Sequence, residues 1–239
     1  MTFKNLTFIV AALTLVGTIA IADITQVAEM APRAPLSKMQ RMGLVAGASN
    51  AEMTPNAQNR LLKKSLRECV RDKCSNLDLR HLPITDLAVL SDMQHLNTLY
   101  LSYTDVADLT PITELTGLEH LHLGHTKISD LTPIKAFSNL TVLHIWGTNV
   151  TDFTPISNFT ELTELALSDT KIKNLSILRP LKKMRNLALE NVNIRDIRVL
   201  ESLPNLQTVE TLHTDHFNQR TLKRLEKRGV FFGSMMVMC

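Results

Sequence analysis

The chain has 239 residues, of which 44% are hydrophobic and 21% charged, so it carries enough apolar side chains for one substantial core. This balance does not fit a disordered polypeptide. The formal net charge of +3 is small for the length, and the charges fall in several short clusters, so the composition does not point to nucleic acid as a partner.

The first 22 residues have the pattern of a signal peptide. Lys4 and the free amino terminus precede an apolar run, residues 6–22, that ends in Ala-Ile-Ala. Cleavage before Asp23 predicts a secreted or periplasmic protein with no stable membrane insertion. The alternative is an uncleaved membrane anchor, because the run approaches the shortest length of a spanning helix, but its threonines and glycine weaken that hypothesis.

Two different segments follow the signal peptide. Residues 23–54, rich in Ala, Pro, Met, Ser and Asn, show neither helical nor strand periodicity and are predicted to be a flexible linker. Residues 55–73 are predicted to form a helical N-terminal cap, with Thr54 capping it and Pro55 in its first turn. One face of this helix is apolar and consists of Leu62, Leu66, Cys69 and Val70.

The decisive feature of the sequence is an internal repeat of 22 residues. Its units start at residues 74, 96, 118, 140, 162, 184 and 206. Most units open with the frame Leu-x-x-Leu-x-Leu, as at Leu96, Leu99 and Leu101. The alternation predicts a short strand whose apolar side chains point into a core and whose intervening side chains point outward.

The second half of several units carries the motif Asp-Leu-Thr-Pro-Ile, as at residues 108–112 and 130–134. We expect a short helical or 3₁₀ turn there. Aspartate can accept hydrogen bonds from the free amides at the start of such a turn, and proline lacks the donor that would be unpaired. Leu115, Phe137 and Phe159 are expected to return to the same core. One unit cannot bury these residues alone, so the units must stack.

Over residues 74–212 the chain resembles the 22-residue leucine-rich repeats of internalin-like bacterial proteins. The resemblance implies an α/β solenoid: a horseshoe or arc with a concave parallel β-sheet, short 3₁₀ or helical turns on the convex side, a helical N-terminal cap, and a C-terminal cap over residues 213–239. The ninth position of the unit, often Asn in that family, is Thr in four units. We expect these hydroxyls to bond local backbone groups. They belong to Thr104, Thr126, Thr148 and Thr170.

Outward positions of the second to fourth strands concentrate aromatic and histidine side chains. Both tyrosines and the single tryptophan of the chain lie at such positions. An outward aromatic side chain has no core to fill, and aromatic residues supply much of the energy of protein interfaces, so we predict a partner-binding site there. The alternative is that the rings only pack against one another along the stack. The predicted site residues are Arg80, Tyr100, Tyr103, His120, His122, His125, His144 and Trp146.

The predicted function is that of an exported, monomeric protein that binds a protein partner through its concave sheet. The resemblance to internalins implies a virulence or host-interaction factor whose partner is a host-cell protein. A periplasmic adaptor and a glycan-binding module stay open as alternatives. No catalytic activity and no cofactor are expected, because the roughly 27 residues after residue 212 are too few for an independent catalytic fold.

Three histidines raise a hypothesis of a different class. His120 and His122 share one face of a strand, and His144 is predicted beside His122, so three imidazoles could hold a zinc ion. We favour this hypothesis less than partner binding. No acidic residue is obviously placed as a general base, although Glu164 and Asp169 lie two units along, and a shallow sheet excludes water poorly.

The three cysteines leave two questions open. Cys69 and Cys74 flank the junction between the N-terminal helix and the first strand, and in an oxidising compartment they could form a disulfide. Alternatively, Cys74 replaces the buried leucine of later units and Cys69 packs beneath the helix. Cys239 is the odd cysteine, either a buried terminal thiol or an intermolecular link.

Overall fold

The computed structural model describes residues 54–233, which lie within the unit Val45–Cys239. The predicted signal peptide, the predicted linker up to residue 53, and Cys239 fall outside the described residues. Between residues 54 and 233, no helix has the length and apolar character needed to cross a membrane.

Eight short strands form one parallel sheet in the order of the sequence. From β1 to β7 each residue lies beside the residue 22 positions later, as Leu99 lies beside Leu121. This confirms the predicted parallel sheet and the length of its unit. The strands are β1 (Asn76–Asp78), β2 (Thr98–Tyr100), β3 (His120–His122), β4 (Val142–His144), β5 (Glu164–Ala166), β6 (Asn186–Ala188), β7 (Thr208–Glu210) and β8 (Phe231–Gly233).

Short 3₁₀ turns connect the strands from β1 to β7. Asp108, Asp130 and Asp152 each accept a hydrogen bond from the backbone amide two residues later, as the motif predicts. Hydrogen bonds from the side chain and the amide of the threonine at that position lower the pKa of each aspartate. The turns are Ala88–Leu90, Thr110–Ile112, Thr132–Ile134, Thr154–Asn158, Ser176–Leu178 and Arg198–Ser202.

The core is a continuous stack of apolar side chains between the sheet and the turns. The middle residue of each strand from β1 to β7 is buried, and Leu143 in β4 has no exposed surface. Phe137 and Phe159, from the segments that follow the turns, are also fully buried. Because neighbouring units share this apolar surface, the stability of each unit depends on the units beside it.

The threonines at the ninth position of the unit are buried and bonded within their own unit. The hydroxyl of Thr148 donates a hydrogen bond of 2.7 Å to the carbonyl oxygen of Ile145. Thr104, Thr126 and Thr170 make the equivalent bond. The expected local bonds are therefore present, and each one closes the bend that follows a strand.

The N-terminal helix α1 (Pro55–Asp72) packs Leu62, Leu66 and the buried Cys69 beside the first unit, as predicted. Val70, which we placed on the same face, is instead 57% exposed. The side chain of Thr54 makes no cap hydrogen bond, contrary to our expectation. Its carbonyl oxygen instead accepts bonds from the amides of Ala57 and Gln58. A disulfide joins Cys69 to Cys74, which is the first of the two alternatives that the sequence left open. This bond ties the end of α1 to the start of β1.

The C-terminal segment contains helix α2 (Gln219–Lys227) and the strand β8. The side chain of Asn218 caps α2 by accepting bonds from the amides of Arg220 and Thr221. β8 pairs in parallel with β7 and was not foreseen as a strand. The guanidinium of Arg228 donates hydrogen bonds to carbonyl oxygens of the last turn and of Leu203 directly after it.

Candidate functional site

The outward side chains at the N-terminal end of the sheet form two neighbouring groups. The first, here called the aromatic patch, consists of residues that follow the strands: His81, Tyr103, His125 and Trp146. The second, here called the histidine row, consists of outward strand residues: Tyr100, His122, His144 and Glu164. Both groups arise because the 22-residue repeat places equivalent positions of consecutive units side by side.

The four rings of the aromatic patch contact one another in sequence. The rings of His81 and Tyr103 are stacked with centroids 4.4 Å apart, and those of Tyr103 and His125 are 5.0 Å apart. The indole of Trp146 meets both Tyr103 and His125 edge to face. Despite these contacts Tyr103 remains 47% exposed, so the patch offers an open aromatic surface.

A left-handed backbone conformation places these side chains. His81, Tyr103 and His125 have φ values of 58°, 60° and 53°, and Gly147 at the same position of the next unit has a φ of 65°. A left-handed conformation costs a residue with a Cβ atom about 1 kcal/mol. Stacking of the rings within the aromatic patch offsets part of this cost. An aromatic or imidazole side chain therefore occupies a position that glycine or asparagine would fit more easily.

Two glycines make room for the patch. A Cβ atom on Gly124 would lie 2.3 Å from the indole of Trp146, and one on Gly147 would lie 2.6 Å from the ring of His125. Neither ring could keep its place beside a larger residue. Trp146 therefore lies directly against the backbone of the preceding unit, and this contact restricts its movement before any partner arrives.

This close contact predicts that Gly124→Ala displaces Trp146. Trp146 is the single tryptophan of the chain, so its fluorescence reports on the patch alone. We expect a shift of its emission maximum to longer wavelength and stronger quenching by iodide, with the fold retained by circular dichroism. Gly117→Ala is the matched control, because its Cβ would meet only an ordinary contact at 3.7 Å. Unchanged emission in Gly124→Ala would contradict the described packing.

The histidine row is a chain of direct polar contacts. The Nδ1 atoms of His122 and His144 are 2.9 Å apart, and the Nε2 of His144 lies 2.6 Å from the Oε1 of Glu164. On its other side the ring of His122 stacks on Tyr100 at 4.4 Å. The row therefore crosses β2, β3, β4 and β5 without a break.

Burial and charge set the protonation of this row. Burial, followed by the neighbouring His144 and His120, lowers the pKa of His122 to about 3, so its ring is neutral at pH 7. The hydrogen bond from His144 lowers the pKa of Glu164, so this carboxylate is ionised. His144 then donates its Nε2–H to Glu164, and a single proton lies between the two Nδ1 atoms.

These bonds occupy both nitrogens of His144. In this arrangement both nitrogens of His144 face protein partners, His122 and Glu164. No group of three or more His, Cys, Asp or Glu side chains placed to hold a metal ion is found within residues 54–233. The third histidine, His120, lies two residues before His122 on β3, and its Nδ1 is 3.4 Å from the hydroxyl of Thr98.

The structure brings all eight predicted site residues to the first four units. Arg80 lies over the ring of Tyr100, 5.1 Å from its centroid, and forms an ion pair with Asp78. Our prediction omitted two residues that belong to the same groups, His81 and Glu164. His81 occupies the same unit position as Tyr103. Glu164 is diagonal to His144 on the neighbouring strand, within reach of a long side chain.

Comparison with known proteins identifies the repeats. Residues 94–136 and 116–158 each match the family described as leucine rich repeats (2 copies). No curated protein sequence matches the chain at a significant level. The fold does match solved structures, among them two internalins and a leucine-rich repeat protein.

Internalin C2 from Listeria monocytogenes is 27% identical, with a TM-score of 0.57 over 66% of this chain and 70% of that one. A second internalin from Listeria monocytogenes is 18% identical, with a TM-score of 0.60 over 79% of this chain and 64% of that one. A leucine-rich repeat protein of Leptospira interrogans is 24% identical, with a TM-score of 0.54 over 64% of this chain. The present chain spans 43% of that last protein.

Proposed function

Because the chain is a leucine-rich repeat protein similar in fold to the internalins, we propose that it is an exported binding protein that recognises a protein partner through the aromatic patch. The observation that carries this proposal is the open, preorganised surface of His81, Tyr103, His125 and Trp146. Leucine-rich repeats commonly mediate contacts between proteins, and the two glycines beneath the patch reduce the ordering cost of binding.

The solvent exposure of the side chains indicates which residues contact a partner and which support the site. Tyr103 and His125 are exposed, whereas Tyr100, His122 and His144 are only partly accessible and hold one another. We therefore place the direct contact on Tyr103 and His125, together with the half-buried Trp146 that packs against both rings. The histidine row is assigned to the support of the sheet. The site binds and does not catalyse. Export, a host-cell partner and a monomeric state are parts of the same proposal.

Affinity capture tests this function. Wild-type protein and the double variant Tyr103→Ala/Trp146→Ala are used as baits against host-cell and bacterial extracts, with captured proteins quantified by mass spectrometry. Val70→Ala/Val89→Ala is the control, because these valines are exposed apolar residues outside the patch. We expect a partner captured by the wild type and the control to fall at least about tenfold with the patch variant, as for loss of interface hot spots.

Equal capture by all three baits would show that the patch is not the binding surface. A captured partner is then purified and titrated against the wild type, with Trp146 emission as the signal. A change of emission on binding supports contact at the patch, and no change at saturation contradicts it. Capture confined to periplasmic proteins would replace the proposal with the periplasmic adaptor that the sequence left open.

A further inference from the structure

Charge is distributed very unevenly along the stack. Residues 74–170 carry 12 acidic and 3 basic side chains, a net charge of −9. Residues 171–233 carry 13 basic and 6 acidic side chains, a net charge of +7. The overall charge of +3 hides this contrast. The last units and the C-terminal cap therefore present a cationic region that is separate from the aromatic patch.

A groove lies within this cationic region, between the turns Ser176–Leu178 and Arg198–Ser202. Its volume is about 530 Å³, and its lining includes Lys173, Arg179 and Arg198 together with polar groups of Asn174 and the serines of the two turns. The turns lie on the other side of the core from the sheet. A ligand in the groove would therefore not compete with a partner on the aromatic patch.

Two of the cations are available to a ligand. Arg198 is held by Asp196, whose carboxylate accepts hydrogen bonds from its guanidinium at 2.6 to 3.1 Å. The side chains of Lys173 and Arg179 have no ion-pair or hydrogen-bond partner among residues 54–233 and are exposed. Because the charges of Arg198 and Asp196 cancel, the side chains that line the groove have a net charge of +2.

We propose that this groove binds a linear anionic polysaccharide through Lys173 and Arg179. Anionic groups of the sugar chain pair with the two free cations, while the serine and asparagine groups of the lining face its hydroxyls. The lining contains no aromatic side chain, so it lacks the stacking platform that single-stranded nucleic acids use. A concave groove also fits an extended chain better than the flat surface of a membrane.

The test uses low-molecular-mass dextran sulfate as the probe and uncharged dextran of the same length as its neutral counterpart. Binding to the whole protein is measured by isothermal titration calorimetry at low and at physiological salt. We expect dextran sulfate to bind and dextran not to bind. The double variant Lys173→Gln/Arg179→Gln is expected to bind dextran sulfate about tenfold more weakly.

Arg220→Gln/Lys223→Gln is the matched control, because it removes the same charge from exposed positions at α2. We expect this control to lose less than about threefold. Equal losses in the two double variants would overturn the groove and leave only the general charge of the region. Absence of dextran sulfate binding would overturn it as well. The proposal would also be overturned if the protein bound phosphatidylserine vesicles through Lys173 and Arg179 but did not bind dextran sulfate.

Discussion

Replacing Leu143 by alanine is expected to destabilise the protein by about 3 kcal/mol, the middle of the range for truncating a fully buried leucine. Leu143 has no exposed surface and lies between Leu121 and Leu165 on the neighbouring strands. The truncation removes apolar contacts and leaves a cavity that the rigid stack cannot close easily. Because β4 is central, the loss weakens contacts with the units on both sides.

Urea denaturation followed by circular dichroism and by Trp146 fluorescence measures this loss. Leu212→Ala is the matched control, because Leu212 is 54% exposed and its truncation should change the free energy of unfolding by less than about 0.5 kcal/mol. Leu143→Ala should unfold at a markedly lower urea concentration than the control. Similar midpoints for the two variants would mean that the stack can repack around the missing side chain.

Acidification from pH 7.5 to pH 5 is expected to lower the free energy of unfolding by up to about 2 kcal/mol through His122. The folded-state pKa of His122 is about 3, below the ordinary imidazole value of 6.5. Between these two values the unfolded chain binds a proton that the folded chain does not bind. Stability is therefore complete above pH 6.5 and decreases as the pH falls towards 3. Burial also lowers the pKa of His81, which acts in the same direction.

His122→Phe tests the source of this pH dependence. Phenylalanine preserves an aromatic ring to stack on Tyr100 but does not titrate. We expect the variant to show a clearly smaller difference in unfolding free energy between pH 5 and pH 7.5 than the wild type, whatever its absolute stability. His216→Asn is the control outside the sheet. A pH dependence in His122→Phe equal to that of the wild type would assign the acid sensitivity to other groups.

The repeat made most of the fold predictable. A strand in every unit, the parallel register and the capping aspartates all follow from the spacing of Leu, Asp and Pro, because a stack of identical units leaves one way to bury them. The strand β8 was not predictable in this way. It falls outside the 22-residue period, and it pairs with β7 through backbone groups that any sequence carries.

The candidate site was predictable in position but not in its contacts. The residues followed from the outward positions of the repeat, yet the sequence does not show that Tyr103 and His125 adopt a left-handed backbone. The contact of His144 with Glu164 was also missed. The repeat relates residues directly across neighbouring strands, whereas the carboxylate of Glu164 reaches His144 diagonally. The structural role of Arg228 depended on where the last carbonyl groups lie.

The constant offset of 22 residues between neighbouring strands also bears on how such a protein can change over time. Outward side chains contact residues of their own and nearby units, while the buried leucines of all the units form one common core. Substitutions on the surface of one unit thus leave the rest of the scaffold undisturbed. The aromatic patch and the cationic groove, located in different units, are free to acquire or lose specificity independently, so one scaffold can serve two kinds of recognition.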